Sequence, residues 1–142
     1  MLFNFSCSDL NFDVVVVGGG TSGVASAIQS SRLGSKTLLI EESNWLGGML
    51  TSAGVSAVDG NYKMPSGFLK EFRDSLVSYY GHLDSLKTGW VSNFMFEPSV
   101  GNRILKDIAK QENNLTILYG STVSEVVKKE NFSIKVKELP SL

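Results

Sequence analysis

The 142-residue chain has one cysteine, one histidine and three prolines. A lone Cys7 excludes an internal disulfide and a C-x-x-C redox pair. It lies ahead of the first strong apolar run and reads as part of a loose leader over residues 1–11, not as a reactive thiol. One histidine, His82, and one cysteine give no argument for a Ser-His-Asp arrangement or a metal cluster. Charge of either sign is not in excess: 13 Lys and Arg face 14 Asp and Glu, a formal net charge of −1. That balance offers no electrostatic capture of nucleic acid or an anionic membrane. No apolar run approaches the ~18 residues needed to span a bilayer. The start, Met1-Leu2-Phe3-Asn4-Phe5-Ser6, lacks the basic region and long apolar stretch of a signal peptide. With 42% hydrophobic and 19% charged residues, the expectation is a soluble globular protein of a reducing cytoplasm. Residues 12–142 are long enough to form one domain with its own core.

Glycine is plentiful, with 14 residues, and the most informative of them follow a valine run. Val14-Val15-Val16-Val17 reads as a strand buried on both faces. Gly18, Gly20 and Gly23 follow at the spacing G-x-G-x-x-G. Gly18 permits a tight turn, Gly20 lets backbone approach a phosphate, and Gly23 lets a helix pack closely on the strand. The helix start presents free N–H groups and a positive dipole end to an anion. Val24, Ala27, Ile28 and Ser31 share one helical face, and Gly34 is the expected stop. Lys36-Thr37-Leu38-Leu39-Ile40 is a second strand ending in Glu41, where an acid accepts from adenosine ribose hydroxyls. Strand, glycines, helix, strand and acid in that order point to dinucleotide binding.

Residues 43–66 read as an extended loop around Trp45-Leu46-Gly47-Gly48-Met49-Leu50-Thr51-Ser52-Ala53-Gly54. Residues 67–80 follow a helical period, with Leu69, Phe72, Leu76 and Tyr79 facing a sheet, Ser66 as N-cap and Gly81 as stop. The aromatic stretch at 82–97 contains Trp90, Phe94 and Phe96; these suit core packing, contact with another domain, or a substrate pocket. Pro98 suits the first turn of a helix marked by Val100, Ile104 and Ile108. Leu115–Tyr119 is a short strand. Thr122–Lys128 and Phe132–Lys137, joined by a turn at Glu130-Asn131, form an antiparallel hairpin with one wet face.

The fingerprint does not by itself separate NAD from FAD. A second glycine pair, Gly47-Gly48, close behind Glu41 gives another backbone approach to a long cofactor. Asp13 to Gly23, Leu33-Gly34, Thr37 to Glu41 and Leu46-Gly47-Gly48 resemble the N-terminal part of the FAD-dependent oxidoreductases of the glutathione-reductase-like superfamily. Gly47 to Gly54, Gly89-Trp90-Val91-Ser92 and Phe96 to Val100 are similar to a branch of it without an assigned substrate. The resemblance covers residues 12–139. It implies an α/β, three-layer, Rossmann-like FAD/NAD(P)-binding domain with a parallel sheet and a peripheral antiparallel β-hairpin.

It also implies roles for residues. Gly18, Gly20, Thr21, Ser22 and Gly23 would surround the pyrophosphate. Glu41, or else Glu42, would bind the ribose. Gly48 and Met49 would follow the pyrophosphate and ribityl chain, Thr51 would reach the flavin end, and Val123 would meet the adenine through its backbone. No catalytic residue is assigned. Full members add a third meander strand, a later Gly-Asp segment and a substrate domain; this chain carries only Asp59-Gly60, early and in reverse order. It therefore reads as the truncated N-terminal part of a flavoenzyme acting on a small molecule, with its C-terminal substrate domain missing. Two alternatives stay open: an NAD(P)-binding dehydrogenase domain whose contacts end near Glu41, and a non-catalytic cofactor-binding fragment.

Overall fold

The computed structural model describes residues 11–60, 62–87, 90, 92–128 and 132–140. The leader with Cys7, the Glu130-Asn131 turn, Gly89 and Val91 lie outside the described residues. The first three elements are β1 (Val14–Val17), α1 (Thr21–Arg32) and β2 (Thr37–Ile40). A long loop then leads to α2 (Gly67–Tyr80), and a second irregular stretch to α3 (Pro98–Lys110), followed by β3 (Leu115–Leu118). A hairpin of β4 (Ser121–Lys128) and β5 (Phe132–Glu138) ends the described chain.

β1, β2 and β3 form a parallel sheet in that spatial order. Val16, Leu39 and Ile117 stand side by side in register. They meet a core built by Val24 and Ile28 of α1 and by Ile104, Leu105 and Ile108 of α3. The small-residue face expected of α1 is the buried one: Val24, Ala27, Ile28 and Ser31. Leu33 caps that helix and Gly34 follows at φ +94°, the left-handed conformation that favours glycine. Pro98 takes the first helical position of α3, where its missing N–H costs nothing.

Three expectations need correction. The strand buried on both faces is β2, all four residues of which are buried. The valine run of β1 is only part-buried, and Val17 is 61% exposed. β2 has a paired strand on each side, whereas β1 lies at the edge of the described sheet. Burial of a strand is set by its neighbours, and these are distant in sequence. Second, the main packing partners of α2 are helical elements and not the sheet. The helix lies against α3 and the 3-10 turn at Leu83–Leu86, with Phe72 and Leu76 buried and Tyr79 exposed. Third, the hairpin has little dry side: Phe132 and Val136, which alternate with polar residues along β5, are exposed, and so is Val126 of β4.

The aromatic stretch divides. Phe94 and Phe96 join Phe72 in the core, with ring centroids 6.3 and 5.3 Å from that of Phe72. Trp90 is 99% exposed. The His82 Nδ1 accepts the Asp84 amide at 3.1 Å and caps the turn that follows α2. No helix among the described residues is long and apolar enough to cross a membrane.

A single guanidinium ties the helical layer together. Arg32, at the end of α1, donates two bonds to Glu71 of α2 and one to Glu112 beyond α3, each 2.7 Å long. The Arg32 hydrogen bonds hold the Glu71 carboxyl below its ordinary range, against the opposing effect of burial. A depressed carboxylate contributes stability that is complete above its ordinary range and is lost as pH falls through its folded value. Arg32→Met is expected to lower the thermal midpoint by roughly 2–5 °C at neutral pH. The deficit should shrink on acidification below about pH 4. Thermal melts of both proteins across that range check it; a pH-independent deficit would assign the loss to packing by the arginine stem.

Candidate cofactor-binding site

Gly18, Glu41 and the start of the hairpin meet at the C-terminal edge of the parallel sheet, the end where α/β sheets bind ligands. Gly18 leaves β1 there, and its amide donates to the Ile40 carbonyl at 2.8 Å. Glu41 leaves β2 beside it, with its amide on the Leu118 carbonyl at 2.8 Å. Ser121 opens β4 with its amide on the Glu41 carbonyl at 3.0 Å.

The three glycines of the fingerprint are required for three different reasons. Gly18 has φ +93°, a conformation that L side chains rarely adopt. Gly23 lies inside α1 with an ordinary backbone, but a Cβ there would stand 1.9 Å from the Gly18 carbonyl oxygen. Gly20 has neither constraint. Its φ is −63° and its ψ 177°, open to any residue, and a Cβ would meet nothing within 4 Å. It sits at the N-cap of α1, where no side chain caps the helix and no acidic residue occupies the first turn. The first-turn amides, those of Thr21, Ser22 and Gly23, are the ones helix geometry leaves without an intrahelical acceptor. Neither backbone conformation nor packing within the chain requires glycine at position 20.

The second glycine pair lies against the first. Gly47 pairs with Gly20 as an isolated parallel bridge. The Gly47 amide donates to the Gly19 carbonyl at 2.8 Å, and the Thr21 hydroxyl donates to the Gly47 carbonyl at 2.9 Å. A Cβ on Gly48 would come within 3.0 Å of the Gly20 Cα. Gly48 opens the 3-10 turn Gly48–Leu50, and Met49 on that turn is 63% exposed.

Glu41 is turned into this cradle. Its Oε2 accepts the Gly19 amide at 2.6 Å; its Oε1 accepts the Ser43 amide at 2.8 Å and the Ser43 hydroxyl at 2.6 Å. A carboxylate has about four acceptor positions, so a ribose hydroxyl would share Glu41 with the loop it braces. Burial, and secondarily the Glu41 charge, pushes the nearby Tyr119 hydroxyl above its ordinary value. Glu42, the alternative acid, is exposed and accepts the Thr122 hydroxyl at 2.7 Å, joining the strand end to the hairpin.

Val123 pairs with Val136 just before a register irregularity in the hairpin, two residues beyond the Ser121 link to Glu41. Thr51 is placed differently from the expectation that it reaches a flavin. It is 1% exposed, and its hydroxyl donates to the Leu46 carbonyl at 2.6 Å. It is a brace inside the loop. Sequence reasoning missed Gly19 and Asn102. The first donates to Glu41 and accepts from Gly47; the second accepts the Leu46 amide through Oδ1 at 2.9 Å. Asn102 lies 56 residues from its partner, so no local signal marks it.

The family model described as FAD dependent oxidoreductase matches residues 13–139. The chain belongs to the FAD-dependent oxidoreductase family. A glutathione reductase of Debaryomyces hansenii is 42% identical over 69 residues, covering 48% of this chain and 14% of that protein. A carotenoid phi-ring synthase of Chlorobaculum tepidum is 30% identical over 91 residues, covering 64% of this chain and 13% of that protein. The chain therefore spans about one seventh of the length of these two relatives. Among solved structures, thioredoxin reductase of Lactococcus lactis matches with a TM-score of 0.52 at 16% identity, over 89% of this chain and 31% of that one. The p-nitrophenol 4-monooxygenase PnpA of Pseudomonas putida matches with a TM-score of 0.51 at 12% identity, over 87% and 35%. At such identities the likeness establishes the fold.

Two outcomes follow from the cradle's geometry. Helix propensity alone favours Gly23→Ala by about 1 kcal/mol, but the 1.9 Å approach to Gly18 reverses the sign. The variant should lose about 2–4 kcal/mol in denaturant unfolding. Glu41→Ala leaves the buried Gly19 amide without its acceptor and should cost about 1–3 kcal/mol in the same measurement with no ligand present. A Glu41→Ala protein as stable as its parent would make the carboxylate purely a ligand group.

Proposed function

We propose that this chain is the FAD-binding portion of a flavin-dependent oxidoreductase that acts on a small molecule. The observation that carries the reading is Gly20: a glycine at a helix N-cap whose backbone needs none, facing open space beside unpaired first-turn amides. The residues present fit a dinucleotide. The amides at the start of α1 would receive the pyrophosphate, with Gly18, Gly20, Thr21, Ser22 and Gly23 forming its floor. The fourth acceptor position of Glu41 would take a ribose hydroxyl. Gly48 and Met49 would continue the path along the ribityl chain, and the Val123 backbone would stand beside the adenine.

FAD is favoured over NAD(P) because the second glycine turn abuts the first. The Gly47 amide is bonded to Gly19 and Gly48 backs onto Gly20, so backbone continues past Glu41 where a nicotinamide reading needs only a plain turn. When bound, the flavin supplies the two-electron redox chemistry. The chain's own work is to bind, orient and shield. His82, the single histidine, is exposed and engaged with Asp84, and the Glu41 carboxylate beside the glycine turns is engaged by Gly19 and Ser43, so neither is assigned a proton-transfer role. The groups that choose the substrate and move its protons are accordingly proposed to come from a further, C-terminal substrate domain. The much greater length of the relatives supports this division.

The test is spectroscopic. Purified protein should absorb near ~450 nm, and denaturation should release the chromophore. Gly20→Val should abolish flavin uptake while leaving unfolding stability within about 1 kcal/mol, since only the cap preference is disturbed. A colourless wild-type protein that binds NADH instead would overturn the FAD reading.

A further inference from the structure

Helix α3 carries two poor helix formers in succession, Gly101-Asn102, well inside its span Pro98–Lys110. Neither is at a terminus where glycine or asparagine is favoured. Gly101 has an ordinary helical place and donates its amide to Glu97. A Cβ there would stand 2.5 Å from Phe96 Cε2 and 3.3 Å from Thr51 Cγ2. Its smallness lets the helix come down on the loop that holds Thr51. Asn102 does not turn back on its own helix, as asparagine often does; its Oδ1 accepts the Leu46 amide at 2.9 Å. One turn further on, Leu105 lies where a Cβ on Gly47 would come within 2.7 Å of its Cδ1.

The result is a pair of residues whose four backbone polar groups are all engaged. The Leu46 amide donates to Asn102 and the Leu46 carbonyl accepts from Thr51. The Gly47 amide donates to Gly19 and the Gly47 carbonyl accepts from Thr21. Three of the five partners are side chains, contributed by α1, α3 and the loop itself; the Leu50 amide is a second donor to the Gly47 carbonyl at 3.2 Å. A chain segment fixed at every polar group has one position, and Gly48 follows immediately.

We propose that Gly101-Asn102 of α3 is a clamp that sets the second glycine turn against the first, making Asn102 a positioning residue for the cofactor site. The inference rests on the FAD reading for the identity of the ligand, but the clamp itself is a property of the chain alone. A structural role in the helix and a positioning role predict opposite signs. Alanine is the better helix former, so Asn102→Ala should leave the helix as stable or more so if the helix is all that matters. If Asn102 is the clamp, the Leu46 and Gly47 amides should exchange with solvent about tenfold faster in the ligand-free protein. The Leu39 amide in the central strand should be unaffected. FAD, titrated into the full chain by quenching of its fluorescence, should bind about tenfold more weakly, the usual weight of one lost hydrogen bond. Asn102→Asp, which keeps an acceptor at the same reach, should restore slow exchange at Leu46. Unchanged exchange at Leu46 and Gly47 in Asn102→Ala overturns the proposal, as does acceleration shared equally by Leu39, which would be general destabilisation. A wild-type protein that takes up no FAD defeats the cofactor reading and the affinity half of the inference together, before any variant is made; exchange at Leu46 then decides the clamp by itself.

Discussion

The hydrogen bond from the Gly47 amide to the Gly19 carbonyl is the join on which the site depends. It links two turns that lie on either side of β2 in the sequence, and it accompanies the Gly20–Gly47 bridge and the close approach of Gly48 to Gly20. One such bond contributes only about 0.5–1.5 kcal/mol net. Its importance is geometric: it sets the distance between two stretches of backbone that a Cβ on Gly48 would force apart. Gly47 reaches it at φ +109°, with Leu105 and Thr51 closing the space a side chain would fill. Conformation and packing therefore demand glycine at position 47 together.

Electrostatics around the join are divided between the two ends of one loop. Glu41 places a carboxylate next to a helix start that is built to receive an anion, an arrangement that by itself repels a pyrophosphate. The Gly19 amide and two donors from Ser43 engage that carboxylate, and charge-assisted bonds of this kind are the strong ones. The same bonds draw Gly19 toward Glu41 and bury it, while Gly20 stays part-exposed at the helix start. The start of α1 has no acidic residue in its first turn, so the chain's own side chains leave its positive end uncompensated. A negative and a positive site thus coexist within a few residues because the negative one is tied to the loop from inside.

What could be read from the sequence was what local periodicity decides. The buried face of α1 and the order of strands and helices follow from spacing of 3.6 or 2 residues, and the start of α3 follows from Pro98. What could not be read was set by partners far along the chain. Four valines look like a central strand, yet β1 is half-exposed because β2 occupies the middle. Leu69 to Tyr79 has the period of a sheet-packing helix, but period does not name the surface opposite, which is α3. In the site, Gly18, Gly20 and Gly23 were legible as a spacing, and Glu41 as an acid after a strand. Thr51 looked like a ligand group because a polar residue beyond a glycine pair is expected to face outward; a carbonyl five residues back captures its hydroxyl. Asn102 was invisible for the complementary reason, being an ordinary polar residue in an amphipathic helix until its partner at Leu46 is known.

A glycine motif is usually read as one signal, but its members carry unequal information about function. Gly18 and Gly23 satisfy the protein: one needs a left-handed backbone, the other leaves room for a carbonyl oxygen 1.9 Å from where a Cβ would sit. A strand–turn–helix with no ligand at all would require both. Gly47 and Gly48 are likewise explained by contacts inside the chain. Gly20 alone among these has allowed dihedral angles, empty surroundings and a place at an uncapped helix start. A glycine that costs conformational entropy, and whose missing side chain no neighbour inside the chain requires, points to something outside the chain. The case for a bound dinucleotide is therefore strongest at the one glycine for which the fold has no use.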